Sequence, residues 1–313
     1  MFIWRNKGFM KKSVLLTAVL CALCFSFISY GAMGEGSTGT KANAQTVSTQ
    51  AVPAAQEVSA GAVYLDRSWR YADFSVINEG HAVLYRAQSG RKGKTVAVNA
   101  GHGTKGGASK KTYSHPDKTG KVTGGTNANG AVMSACVSSG MTFNDGTPEA
   151  EVTLREAVIL KDMLLNAGYD VLMIRDGSDV QLDNVARTVI ANNRADIHIA
   201  IHWDGDGLSS IKGAFYMSVP DALKNMEPVK SMWEKHERLG DCLIRGLETE
   251  VSGIKIWNSS GHGCLDQDLT QTSYSTIPSV DIELGNQCSS HSDSILKQEA
   301  AGLLCGVNLF FGF

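Results

Sequence analysis

The chain has 313 residues, of which 43% are hydrophobic and 19% charged, with a formal charge of −2. This is an ordinary globular composition, long enough for one large domain or two small ones, and it excludes a chain that is disordered throughout. With Arg5, Lys7, Lys11 and Lys12 set aside as part of an N-terminal segment, −2 becomes about −6, which leaves no excess of positive charge for nucleic acid, so recognition has to be local.

Those four basic residues precede an apolar run from Val14 to Ile28, the order of an export signal, which predicts a secreted or cell-envelope protein. Residues 1–34 read as a signal peptide with small residues at Ser29-Tyr30-Gly31 and Ala32-Met33-Gly34 for cleavage. The alternative is an uncleaved anchor, because the run approaches the roughly 20 residues of a membrane span. Leu20 and Leu23 precede Cys21 and Cys24, which argues against lipid attachment. Residues 35–60 are rich in Ser, Thr, Ala, Gln and Gly and read as a flexible linker, leaving 61–313 as the folded domain. Five cysteines fall in that domain, Cys136, Cys242, Cys264, Cys288 and Cys305. They match no CxxC pattern, and sequence does not choose pairs among them.

Within the domain, residues 61–93 form a strand-rich N-terminal part with a turn at Asn78-Glu79-Gly80. Lys94 to Ala100 reads as a strand that stops at Gly101-His102-Gly103, where glycines let backbone pass close to whatever the histidine binds. Residues 104–148 form a long Gly- and Ser-rich insertion, a length usually functional or mobile, expected to border a substrate groove. Ala150 to Ala167 shows helical spacing closed by Gly168 as C-cap; Tyr169 to Ile174 is a strand, and Leu182 to Arg194 a helix. Asp196 to His202 alternates isoleucine with His198, Ala200 and His202, then breaks into Trp-Asp-Gly-Asp, as a buried strand ending in a polar loop does. Ala214 to Val219 is a further strand, Asp221 to Val251 contains a long helix, Ser279 to Leu284 is a late strand, and His291 to Phe311 closes with a helix. Alternating strands and helices predict an α/β fold, a single open, largely parallel twisted sheet with helices on both faces.

The polar residues at element ends are His102, Glu149, His202 and Glu283. Two histidines and one carboxylate form a zinc set that leaves one position for water, and a second carboxylate outside that set serves as general base. Amide hydrolysis suits these groups: the ion polarises the carbonyl, and the glutamate moves a proton from water to the leaving amine.

The order of these motifs resembles the zinc-dependent N-acetylmuramoyl-L-alanine amidases of the amidase-3 type, over roughly Thr95 to Phe311. The matching pieces are Val96 to Gly103, Glu149 to Leu154, Gly168-Tyr169-Asp170-Val171 with Arg175, Arg187 and Ala191-Asn192, then Ile201-His202, and Pro278 to Gly285. The resemblance implies a peptidoglycan hydrolase that cleaves the amide between N-acetylmuramic acid and the L-alanine of the stem peptide. It implies Zn2+ as cofactor, with His102, Glu149 and His202 as metal ligands and Glu283 as the catalytic base. The partner is then peptidoglycan, with membrane contact only through an uncleaved N-terminal segment. Alternatives on the same residues are a zinc peptidase or deacylase, or an inactive wall-binding module. The chain departs from the family where Trp203-Asp204 replaces Ala-Asn and where Asn286 replaces a phenylalanine, both at the mouth of the site.

Several residues compete for roles. Glu151 rivals Glu149, and the family register favours Glu149. Gly261-His262-Gly263 repeats the first turn in a polar context and reads as a substrate-side loop or surface turn. His115 and His198 read as structural, and Arg175 and Arg187 as holding the fold through carboxylates or helix ends, the alternative being contact with substrate. Asp204 and Asp206 either orient a ligand histidine or face solvent, and Trp203 either walls the site or packs.

Overall fold

The computed structural model describes residues 60–257 and 263–313. The export segment, nearly all of the linker and His262 lie outside the described residues. In chain order the elements are β1 (Ala60–Val63), β2 (Ala82–Tyr85), β3 (Thr95–Ala100), β4 (Lys111–Tyr113), β5 (Met133–Ala135), α1 (Glu149–Asn166), β6 (Asp170–Met173), α2 (Asn184–Arg194), β7 (Ile197–Asp204), β8 (Phe215–Ser218), α3 (Val229–Glu250), β9 (Cys264–Asp266), α4 (Thr270–Tyr274), β10 (Ser279–Asn286) and α5 (Asp293–Phe311).

Eight strands form one sheet in the order β1-β2-β6-β3-β7-β10-β8-β9. The centre, β6-β3-β7-β10, is parallel throughout. Antiparallel pairs join β1 to β2, β2 to β6 and β8 to β10 at the flanks, so the strand-rich N-terminal part supplies one edge. The insertion is not structureless: β4 and β5 pair as a separate two-stranded sheet.

Side-chain alternation divides the work of the central strands. Val96, Val98, Ile197, Ile199, Ile201, Val280 and Ile282 pack with α1, α3 and α5 in the larger apolar cluster. Ala97, Leu172 and Ile174 pack with Ala186, Ile190 and Ala191 of α2 in a second cluster. Both faces are therefore buried, which is why these strands read as near-continuous apolar runs.

The helix ends differ in detail from the periodicity. α2 begins at Asn184 rather than Leu182 because Asp183 caps it, accepting from the Ala186 amide at 2.8 Å. α1 ends with Ala167 as its C-cap, and Gly168 follows one residue later at φ +91°. The long helix starts only at Val229, after Pro228.

α3 and α5 cross closely through small residues. A Cβ on Gly246 would lie 2.2 Å from the Gly302 carbonyl oxygen and 2.4 Å from the Gly306 nitrogen, which is backbone that cannot yield without separating the helices. Overpacking of this kind costs about 1–3 kcal/mol or more. Gly246→Val is expected to lower the unfolding free energy by about 3 kcal/mol, read as a shift in urea midpoint, and an unchanged midpoint would refute the close crossing.

Glu156 on α1 and Glu299 on α5 are buried together, and neither Glu156 oxygen has a hydrogen-bond partner. Burial, reinforced by the Glu299 charge, pushes the Glu156 carboxyl well above its ordinary value, and burial does the same to Glu299. The native state thus keeps protons that the unfolded chain releases, so stability is full below the unfolded carboxylate value and is lost as pH rises toward the folded one. Each group accounts for at most about 1.4 kcal/mol per pH unit in that window. Glu156→Gln should flatten the fall in urea midpoint between mildly acidic and neutral pH; a slope equal to the parent's would rule out the buried acid as its source.

Candidate active site

The site begins where β3 stops. Ala100 pairs with Ile201 in the parallel register, so the Gly101-His102-Gly103 turn leaves the sheet beside His202 of β7. A Cβ on Gly101 would lie 2.3 Å from the His202 ring, and one on Gly103 would lie 2.6 Å from the Arg175 side chain, which explains a glycine on each side of the histidine. His102 itself sits at φ +64°, a conformation costly for a non-glycine residue.

Two buried arginines hold that turn. Arg187 donates to the carbonyls of His102 at 2.5 Å and Leu182 at 3.0 Å, and to Asn99 Oδ1 at 3.1 Å. Arg175 donates to the carbonyls of Ala100 at 3.1 Å, Gly101 at 2.9 Å and Ala150 at 2.8 Å, tying the turn to the first turn of α1. Their partners are therefore mostly backbone carbonyls, with an amide oxygen and two hydroxyls, rather than carboxylates. The carbonyls at a strand end lack ladder partners, and a planar five-donor group satisfies several at once.

Glu149 is the first residue of α1 and is buried. Its Oε2 accepts from the Met141 amide at 2.8 Å and its Oε1 from the Trp203 amide at 3.1 Å. The same Oε1 lies 2.8 Å from His102 Nε2 and 3.0 Å from His202 Nδ1, while the two ring nitrogens are 3.1 Å apart. Burial alone would raise the Glu149 carboxyl, but the hydrogen bonds from His102 and His202 outweigh it and hold the group well below the usual carboxylate range. Glu151, the competitor, is exposed on the outer side of the first turn.

His102, Glu149 and His202 thus form a group of donor atoms able to hold a metal ion. Bonds of about 2.0–2.1 Å at tetrahedral angles place donors about 3.3 Å apart, so the observed triangle needs to open by only a few tenths of an ångström. On its far side the His102 ring places Nδ1 2.9 Å from the Ser138 carbonyl oxygen. His202 Nε2 faces Asp281 Oδ2 at 3.6 Å.

Glu283 is the register partner of His202 on β10. It is buried, its Oε2 has no hydrogen-bond partner, and it lines the same cavity of about 720 Å3 as the three donors. Burial, with the nearby charges of Asp281, Glu149 and Asp204, pushes its carboxyl well above the ordinary range against the opposing effect of Lys212. The arrangement joins a cation-binding triad to an unengaged carboxyl in one cavity, which is what hydrolysis of an amide by an activated water requires.

The comparisons with known proteins agree with this chemistry. A family profile described as N-acetylmuramoyl-L-alanine amidase, the amidase-3 family, matches residues 96–302. The chain belongs to this family. As an amidase-3 protein it acts on peptidoglycan, hydrolysing the bond between N-acetylmuramic acid and the L-alanine of the stem peptide. The fold of this amidase is similar to that of the N-acetylmuramyl-L-alanine amidase Ami1 from Mycobacterium smegmatis (19% identity, 72% of this chain and 99% of that one, TM-score 0.59). It is also similar to apo Ami1 from Mycobacterium abscessus (20% identity, 70% and 99%, TM-score 0.57) and to AmiC2 of Nostoc punctiforme (16%, 72% and 100%, TM-score 0.51). No curated protein sequence matches the chain.

The remaining candidates in this amidase have other partners, although Trp203, Asp204 and Arg187 line the same cavity. His198 is fully buried within β7 and pushed down to about 3 by burial and by Arg187, while His115 is buried in the insertion. Asp204 pairs with Lys212, and Asp206 accepts from Asn286 Nδ2 at 3.2 Å, so neither contacts a histidine of the triad. Asn286, where the family has phenylalanine, also donates to the Ser210 carbonyl at 2.9 Å and so ties down the loop after β7. Trp203 is buried and packs edge-on against Phe143. Sequence reasoning missed Asp281 and Ser138. Asp281 had a readable signal, since it lies two residues before Glu283 on the same face of β10; Ser138 lies in irregular chain and had none.

Gly140 closes the back of the triad at φ +82°, where a Cβ would stand 2.8 Å from His102 Cδ2 and 2.9 Å from Glu149 Oε2. Gly140→Ala is expected to weaken metal binding about 10- to 100-fold in a chelator competition titration, the range typical of displaced ligand supports. Parental affinity in that variant would mean the close approach does not shape the triad.

Proposed function

We propose that this amidase is an exported zinc enzyme in which His102, Glu149 and His202 hold the ion and Glu283 moves the proton. The observation that carries the reading is the convergence of three donor atoms around a shared Glu149 oxygen, with an unengaged carboxyl on the adjacent strand facing the same cavity. Two imidazoles and one carboxylate favour zinc over the hard cations, and three protein ligands leave a position open. Zinc bound there supplies a polarised scissile carbonyl and a water of lowered pKa.

The chain's own residues do the rest. Glu283 accepts the proton of the attacking water and delivers it to the nitrogen of the departing L-alanine. Glu149, anchored by two backbone amides, keeps its carboxylate oriented toward both histidines. Ser138 and Asp281 address the outer nitrogens of His102 and His202 and so select which ring nitrogen faces the centre. Export is supported by the basic-then-apolar order of residues 1–34 and by the location of the substrate outside the cell membrane.

Metal analysis and muropeptide digestion on the same preparations test the assignment. His202→Ala should lose both the ion and the release of stem peptides. Glu283→Gln should retain one zinc per chain and lose at least about 10²-fold in turnover. A folded parent that hydrolyses wall without bound metal, or a Glu283→Gln enzyme turning over at the parental rate, would overturn the proposal.

A further inference from the structure

One buried carboxylate gathers the middle of the insertion between β3 and α1 and ties it to the segment before α4. Asp268 lies between β9 and α4 and is fully buried. Its Oδ1 accepts from Lys121 Nζ at 2.9 Å, from the Thr123 amide at 3.1 Å and from the Thr123 hydroxyl. Its Oδ2 accepts from the Val122 amide at 2.8 Å and from His115 Nε2 at 3.0 Å. Its backbone takes part as well, the carbonyl accepting from Lys121 Nζ and the amide donating to Thr123 Oγ1 at 3.1 Å. Every donor to that carboxylate comes from residues 115–123 of the insertion.

The far side of His115 meets Ser273, with Nδ1 2.9 Å from the hydroxyl oxygen. Aspartate, histidine and serine thus stand in the order of a hydrolytic triad, but Ser273 is fully buried and does not line the cavity, so it has no access to a substrate. The chain of bonds has a mechanical use instead. Gln267 and Leu269, on either side of Asp268, line the cavity that holds His102, Glu149, His202 and Glu283, and Lys121, Gly125 and Asn127 of the insertion line it too. The two segments close on each other, since a Cβ on Gly125 would lie 2.8 Å from Gln267 Nε2.

We infer that Asp268 is a positioning residue that fixes residues 115–127 as a second wall of the catalytic cavity, against which the peptidoglycan stem is held. The inference rests on the amidase reading of that cavity. The two apolar clusters that hold helices to the central strands contain none of residues 104–135, and Val122 packs in a small separate cluster with Val219, Leu223 and Val229, so the wall can loosen while the sheet and the triad stay in place. Replacing the carboxylate with an amide swaps an acceptor for a donor in front of two backbone amides and an ammonium, and the wall loses its anchor.

The test is Asp268→Asn in the full chain, compared with the parent for zinc content, steady-state digestion of solubilised muramoyl-peptides, and co-sedimentation with insoluble peptidoglycan. Metal content should be unchanged, KM should rise on the order of 10-fold with kcat within about 3-fold of the parent, and co-sedimentation should weaken. A purely structural role would lower the active fraction, giving a reduced apparent kcat at unchanged KM, and that result overturns the inference. Should Asp268→Asn fail to fold, Thr123→Val and Lys121→Met remove single donors from the same anchor, and parental KM in both would be equally decisive. An inactive parent would count against the amidase reading alone, because co-sedimentation still reports on the wall without turnover; equal binding by parent and Asp268→Asn would sink the inference.

Discussion

The site depends on the parallel pairing of β7 with β10. In that register Glu283 stands beside His202 and Asp281 beside Ala200, and alternation turns His202, Asp281 and Glu283 to one face while Ile201 and Ile282 face the helices on the other. A slip of one residue would exchange these sets and place carboxylates under α3 and α5. The isoleucines that fill the core are therefore also what aims the side chains of the candidate site. Adding β3 as the next parallel neighbour brings the His102 turn to the same C-terminal edge, where open α/β sheets gather their ligands.

Sheet pairing alone does not complete the centre. His102 leaves the strand in a left-handed conformation, and a strand end also leaves carbonyls with nothing to accept from. Arg175 and Arg187 answer both conditions at once by donating to those carbonyls from opposite sides of the turn. Burying two guanidinium groups is expensive, and burial pushes both below their ordinary values. That cost is met by fixing the angle at which a histidine enters the cavity, which a looser turn would leave to chance.

How much of this was legible in the sequence follows from which interactions are local. The central strands and long helices could be read because periodicity is imposed by burial: Ile197, Ile199 and Ile201 alternate as a buried strand must. His102, Glu149, His202 and Glu283 could be picked out because each lies at or near an element end, where type and position are both visible. Helix starts were misjudged by a residue or two where a cap decides the boundary, as at Asp183, whose one oxygen caps α2 at the Ala186 amide while the other is held by Val76 and Ile77, distant in sequence. Ser138, Gly140 and Asp268 were illegible for the same reason. They act through contacts between irregular segments, and irregular chain carries no period to betray them.

The insertion shows the limit most clearly. Its composition of Gly, Ser, Thr and Lys reads as solvated loop, yet Thr112, Ser114, His115 and Lys121 are buried. Burying polar side chains is costly unless their bonds are satisfied, and here one aspartate from more than a hundred residues away accepts the His115 and Lys121 donors, while the Thr112 hydroxyl has no partner among the described residues. Much of the order in this segment is therefore polar and centred on Asp268, with Val122 packed in a small apolar cluster beside it, whereas the order of the sheet is apolar and set by the strands themselves. A cavity wall built in this way is separate from the isoleucine register that aims His202 and Glu283.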